Sequence, residues 1–372
     1  MNSISIIGAG IGGLTLGNIL KQNNLDFTIY ESAPEIKPVG SGIMMAINAM
    51  QIFDALDLKA KIEKAGNKIH GISITDENLK LISKTNVLEL EKKYNSCNVA
   101  IHRADLQRIL AENISFENIK LNHSLNEIQK QENYLLNFEN GIEVKSKIIF
   151  GADGIHSKIR NQIFKTGKIR NTQQMCWRGL VEFDLPEEFH QEAIETWGKG
   201  KRFGFVRMTD RKIYWYAVIN KGKHKRYHSL SENFYGFHPL IIEIIDSTLQ
   251  ENIILNDIID LDPIPKWHAE NLCLIGDAAH ATTPNLGQGA CQAIEDAYVI
   301  GKLLEKNKDF NVIFEQFQQI RRKKVNHVVN TSWKLGKFSQ WEKGTRLRNL
   351  MIRLVPESVN QKMVEKVIQL EM

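Results

Sequence analysis

The chain has 372 residues, enough for two or three domains and a substantial core. Its 42% hydrophobic and 24% charged residues are those of an ordinary globular protein, and a formal net charge of +5 gives no reason to expect nucleic-acid or membrane binding, only a slight preference for acidic small molecules. Cys97, Cys176, Cys273 and Cys291 lie far apart without a C-x-x-C pair, which excludes a zinc site and a disulfide framework and points to a reducing compartment, and no apolar run reaches the roughly eighteen residues of a membrane span.

The N-terminal apolar stretch is broken at Gly8 before it could serve as a leader, so a cytoplasmic location is expected. Residues 4–7 read instead as a short buried strand, running into Gly8-Ala9-Gly10-Ile11-Gly12-Gly13 and a helix over 11–22 with Leu14, Ile19 and Leu20 on its apolar face. Gly8, Gly10 and Gly13 stand in G-x-G-x-x-G spacing, which permits a tight turn, close backbone approach to a pyrophosphate, and close packing of helix on strand. The phosphates would rest on the unpaired amides of the helix N-terminus. A second apolar run, 27–30, ends at Glu31, placed to accept hydrogen bonds from ribose hydroxyls. Strand, turn, helix and acidic strand end predict a dinucleotide site, with NAD and FAD both open.

Residues 36–43 form a loop with two glycines, and a helix follows over 46–56. Strands over 69–75 and 79–83 suggest a hairpin about Asp76-Glu77-Asn78, a helix runs over 105–113, and 125–128, 134–138 and 142–144 make a small meander. It leads to an apolar strand, 147–150, which closes on Gly151-Ala152-Asp153-Gly154 and opens a helix. Residues 175–220 are mostly β, 221–229 a basic loop, 240–249 a helix, and 271–275 a buried strand stopping at Gly276-Asp277. The remainder is helical over 292–305, 311–333, 346–354 and 358–370. Arg321-Arg322-Lys323-Lys324 falls inside one of these helices and reads as a solvated face, because no aromatic residue interleaves it.

Asp277, at a strand end, could hold sugar-type hydroxyls such as a ribityl chain. The stretch Pro284 to Gly289 brings two glycines to a helix entry, where backbone can press against a flat ring and the helix N-terminus can stabilise negative charge developing there. A nicotinamide cofactor has no such need, so FAD is preferred.

The glycine-rich turn, the stretch Gly151 to Arg160 and the stretch Gly276 to Gly289 together resemble the class A FAD-dependent aromatic hydroxylases, the para-hydroxybenzoate hydroxylase-like flavoprotein monooxygenases, in the expected order over nearly the whole chain. The resemblance implies an α/β protein with a Rossmann-like FAD-binding domain, an inserted β-sheet substrate domain and C-terminal helices. The expected division is a discontinuous FAD domain over 1–70, 99–170 and 266–325, a substrate domain over 71–98 and 171–265, and helices over 326–372 that cover the site or make a dimer, leaving monomer and homodimer open. It also implies tight, non-covalent FAD contacted by Gly8, Gly10, Gly13, Glu31, Lys37, Arg103, Gln107, Asp153, Gly154, Arg160, Asp277, Gly287, Gln288 and Gly289. NAD(P)H is the expected transient reductant; the chain has one G-x-G-x-x-G, so no separate nicotinamide domain is expected.

The implied reaction inserts one atom of O2 into a small aromatic or heteroaromatic substrate through a flavin hydroperoxide, without a metal. Oxidation of a polycyclic compound such as a tetracycline is the alternative, and a non-enzymatic flavin-binding regulator a more distant one. A flavoprotein halogenase would want a W-x-W-x-I-P stretch, which is lacking. Among class A enzymes the FAD-dependent urate and salicylate hydroxylase-type branch is nearest. There the positions matching Arg202 and Tyr214 face the substrate, and these two with Pro284 are the expected catalytic-site residues. The chain departs from the urate branch at Asn285, where an aspartate follows the proline, which puts urate in doubt. His280 is expected to be a structural partner near the cofactor loop.

Overall fold

In the computed structural model, residues 4–36, 41–223 and 229–371 are described. The loop residue Lys37 lies outside them.

The architecture is α/β. A six-stranded sheet runs in the order His268–Ala269, Leu272–Leu274, Ile148–Gly151, Ile4–Ile7, Phe27–Tyr30, Ile119–Lys120. All its pairings are parallel except the first. Parallel strands buried on both faces read as continuous apolar runs, which is why Ile4–Ile7 and Ile148–Gly151 were visible in the sequence and are buried at every position. Helices Ile11–Gln22, Gly289–Lys306 and Phe310–Ser339 belong to the same large core.

A seven-stranded sheet forms the other layer, in the order Ile253–Leu261, Ile169–Glu182, Lys212–Asn220, Lys201–Arg207, Glu192–Trp197, Gly71–Thr75, Leu81–Asn86. Its two faces differ sharply. Trp177, Phe203, Phe205, Trp215 and Ala217 alternate onto one face and form a separate core with the helix Pro239–Asp246. The residues between them, Arg178, Arg202, Tyr214 and Tyr216, occupy the other face. There the register sets Arg178 opposite Tyr216, and Val206 opposite Tyr214.

The expected hairpin and meander are present, as Gly71–Thr75 with Leu81–Asn86 and as the three strands between Leu125 and Ser146. Several elements have no counterpart in the sequence reading, among them the helix Lys59–Ala65 and the strands Gly42–Met45 and Asn98–His102, and three more show why. The helix Leu88–Tyr94 is too short to show a period, Glu192–Trp197 is a strand amid acidic residues, and Ile253–Leu261 is an edge strand interrupted by Asn256 and Asp257. The helix expected after Gly154 is only a short segment containing the π-helical turn Arg160–Phe164.

The basic run Arg321-Arg322-Lys323-Lys324 is not a solvated face. Arg322 and Lys323 are exposed, but Arg321 is fully buried and Lys324 is 5% exposed. Residues three apart share a helix face, and here that face turns inward to meet acids on the Gly289–Lys306 helix.

Candidate active site

Four strand ends define the first half of the site. Ile7 is in register with Tyr30 and with Gly151, and Gly151 with Leu274. Gly8, Glu31, Asp153 and Asp277 therefore leave neighbouring parallel strands at one edge, the position where open α/β sheets bind ligands. Gly8 has φ +108, and a Cβ there would sit 2.4 Å from the Ala152 carbonyl oxygen. At Gly13 a Cβ would come 2.0 Å from the Gly8 carbonyl oxygen, so helix and strand approach as the spacing predicts. Gly10 is different: a Cβ there meets nothing within 4 Å, which leaves the helix N-terminus open to a phosphate.

Glu31 spans the turn, accepting from the Ala9 amide at 2.7 Å and the Ala33 amide at 2.9 Å, while Gln107 donates to the Ala9 carbonyl at 3.3 Å. Burial pushes the Asp153 carboxyl up, against hydrogen bonds from Ser157 and the Ile159 amide; its second oxygen has no partner. Gly154, at φ +77, faces open space. Arg160 is 1% exposed and joins two motifs, donating to the Ala278 carbonyl at 2.8 Å and the Ile155 carbonyl at 2.5 Å. Asp277 opens to solvent on one edge, while the protein around the rest pushes its carboxyl up against the pull of His280 and Arg103. Gly287, at φ +62, ends the Pro284–Leu286 turn, and Gln288 caps the helix Gly289–Lys306 while accepting from Asn48 and Gln292.

These features fit FAD. Open space at Gly10, the unpartnered oxygen of Asp153, the exposed edge of Asp277 and the helix entry at Gly289 lie where phosphates, ribityl hydroxyls and a flat anionic ring would be held.

Beneath the Gly276 turn lies a buried charge network that sequence reasoning missed. Asp296 accepts from the Gly276 amide at 2.9 Å, from His280 at 2.6 Å and from Arg321 at 2.9 Å. Arg321 also donates to Glu295, which accepts from Lys324 at 2.8 Å. His280 is thus a structural partner of the loop, as expected.

The second half of the site is the polar face of the seven-stranded sheet. Arg202, 2% exposed, donates to Glu195 at 2.9 Å and to Asn285 at 2.9 Å, joining the sheet to the turn that Pro284 opens. The Asn285 amide in turn donates to Thr283 and to the Ser332 carbonyl, both at 2.9 Å. Tyr214 lies against Gly42, where a Cβ would come 2.4 Å from its ring. Burial pushes the Tyr214 phenol well up, although the neighbouring Arg178 pulls the other way. Arg178 donates to Asn256 at 3.3 Å and has no carboxylate partner among the described residues.

Residues 1–332 match the family described as FAD binding domain. Aurachin C monooxygenase/isomerase of Stigmatella aurantiaca is 33% identical over 347 residues, 91% of this chain and 90% of that protein. The chain belongs to the class A FAD-dependent monooxygenases. A second relative of the monooxygenase, 2-heptyl-3-hydroxy-4(1H)-quinolone synthase of Pseudomonas aeruginosa, is 30% identical over 382 residues, 98% of this chain and 97% of that protein. The solved structure of Klebsiella pneumoniae HpxO complexed with FAD and uric acid has the same fold, with a TM-score of 0.91 at 23% identity, covering 99% of this chain and 96% of that one.

Arg178, Glu195 and Tyr216 were absent from the expected site. Their signal was alternation: strand register puts them on the same sheet face as Arg202, which meets the Pro284 turn through Asn285, a pattern legible only once that register is known.

Proposed function

We propose that this monooxygenase uses NAD(P)H and O2 to hydroxylate an electron-rich heteroaromatic ring, and that its substrate is a neutral 4-quinolone-type bicycle. The observation that carries the reading is the pairing of Arg178 and Tyr214 on the polar sheet face, with no carboxylate among the described residues neutralising the guanidinium. A cation and a phenol side by side suit a ring carbonyl whose enolate form carries negative charge on oxygen and thereby makes the adjacent carbon nucleophilic. Arg202 is unsuited to that task, because Glu195 and Asn285 already occupy its guanidinium. Two relatives at least 30% identical over nine-tenths or more of the chain support the class, one of them named for a 3-hydroxy-4-quinolone.

Bound FAD supplies the electron transfer and oxygen activation. The chain's own groups bind and orient: the Gly8 to Gly13 turn, Glu31 and Asp277 hold the cofactor, and Arg202 braces the Pro284 turn against the sheet. Arg178 and Tyr214 hold the substrate oxygen, and packing of the sheet over the cleft excludes water.

The test incubates the FAD-loaded protein with NADH or NADPH and a panel of 2-alkyl-4-quinolones, phenols, purines and tetracyclines, with products read by mass. A quinolone gaining one oxygen atom supports the reading. Turnover of urate or a tetracycline instead would replace the substrate class, and absence of any oxygenated product would remove the hydroxylase proposal.

A further inference from the structure

The helix Thr345–Arg353 is turned inside out. Its buried side chain is Arg348, which donates to the carbonyls of Ser339 at 2.7 Å, Gly198 at 3.1 Å and Trp197 at 3.1 Å. Burial pushes this guanidinium down to about 10, so it remains charged at neutral pH. The outward face carries Leu347, Leu350, Met351 and Leu354, exposed by 57, 49, 47 and 71%. Their spacing puts them on one stripe, the stripe that a surface helix ordinarily packs against its own core.

The exposure is local and is not caused by a loosely attached segment. Seven of the sixteen large apolar side chains exposed among the described residues fall within 341–363, the others there being Trp341, Val359 and Met363. The C-terminal helices are nonetheless fastened to the sheet edge strand Leu81–Asn86. Asn360 of the helix Glu357–Ile368 donates to Ser83 at 3.2 Å, and Arg348 anchors its own helix to the end of Glu192–Trp197.

Charge selects the occupant. Residues 343–354 contain Lys343, Arg346, Arg348 and Arg353 and no acidic residue. Lys343, Arg346 and Arg353 are exposed, and helical geometry puts Arg346 and Arg353 along one border of the apolar stripe. A second copy laid symmetrically on this face would bring these cations towards their counterparts. An anionic surface with an apolar interior meets no such repulsion.

We propose that the Thr345–Arg353 helix docks the monooxygenase onto anionic lipid bilayers, with Leu347, Leu350, Met351 and Leu354 in the acyl boundary and Lys343, Arg346 and Arg353 at the lipid phosphates. No helix among the described residues is long and apolar enough to cross a membrane, so the attachment is peripheral.

The experiment sediments FAD-loaded protein with vesicles of phosphatidylcholine alone and of phosphatidylcholine mixed with phosphatidylglycerol. Wild type is expected to pellet with the mixed vesicles and to be released by salt. R346E/R353E and L350E/M351E, checked for wild-type flavin absorbance and melting, should each lose about tenfold or more in partitioning. Quenching of Trp341 emission by brominated lipid reports the same contact without altering the face, and its loss in W341F confirms the source. Wild type remaining in solution with both vesicle types overturns the proposal. So does equal binding to both types that R346E/R353E leaves intact, and so does a dimer that L350E/M351E dissociates while no vesicle binds.

Discussion

Arg202 and Asn285 meet across 2.9 Å, tying the middle of the seven-stranded sheet to the turn that precedes the Gly289–Lys306 helix. Asn285 can do this because its oxygen accepts from Arg202 while its amide donates to the Ser332 carbonyl at 2.9 Å. N285D keeps the acceptor but turns a lone pair against that carbonyl. The expected cost is about 1–3 kcal/mol in stability, read by urea unfolding, with a raised KM for substrate. R202M strands the Glu195 carboxylate. Because that group is 20% exposed, the loss should be about 2–3 kcal/mol rather than that of a fully buried pair. FAD affinity, read by flavin fluorescence, should be unchanged in both.

Gly10 and Gly13 should separate cofactor binding from folding. G13A drives a Cβ to 2.0 Å from the Gly8 carbonyl and should lower the melting temperature of the apoprotein. G10A meets no protein atom within 4 Å, so the apoprotein should melt like wild type while FAD binds at least about tenfold more weakly, titrated by fluorescence quenching. Equal FAD affinity in G10A and wild type would refute the placement of the phosphates.

R321M leaves Glu295 and Asp296 buried with fewer partners and should cost about 3–5 kcal/mol by denaturant unfolding. R322A, one position on, alters an exposed side chain and should leave the midpoint in place.

Burial opposes ionisation of Asp296, but attraction to His280 and Arg321 and the hydrogen bonds from His280 and the Gly276 amide outweigh it and hold its carboxyl below the ordinary range. A carboxyl with a folded pKa below its unfolded value of about 3.9 contributes stability that is complete above that value and is lost as pH falls through the folded one. Wild type should therefore lose stability below pH of about 4, and D296N should show a flatter acid limb in urea midpoints measured across that range. Parallel acid limbs would remove Asp296 as the cause.

Y214F should retain wild-type melting to within a small margin, since the ring packing against Gly42 is kept, and should lower kcat/KM for the substrate by tenfold or more, about the effect of losing one hydrogen bond to a charge-bearing oxygen. An unchanged kcat/KM would exclude the phenol from the site.

Much of the cofactor half could be read along the chain because its signals are local. The spacing of Gly8, Gly10 and Gly13, the acidic strand end at Glu31, and the carboxylates Asp153 and Asp277 after apolar runs follow from what a parallel strand and a helix N-terminus require of nearby residues. The substrate half obeys long-range rules instead. Whether Arg178 and Tyr214 share a face depends on the register of strands that pair across dozens of residues, and a slip of one position would bury them in the tryptophan-rich core. The same holds for Arg321 and for Arg348, two arginines in helices that look equally solvated in sequence. Each is buried because acids or backbone carbonyls from distant segments meet it, and the inverted helix that Arg348 creates leaves its leucines facing outward. Local patterning thus specified the glycine turn, the acidic strand ends and the helix entry of an FAD-binding fold, while packing between distant segments decided which charges are buried and which apolar side chains are left exposed.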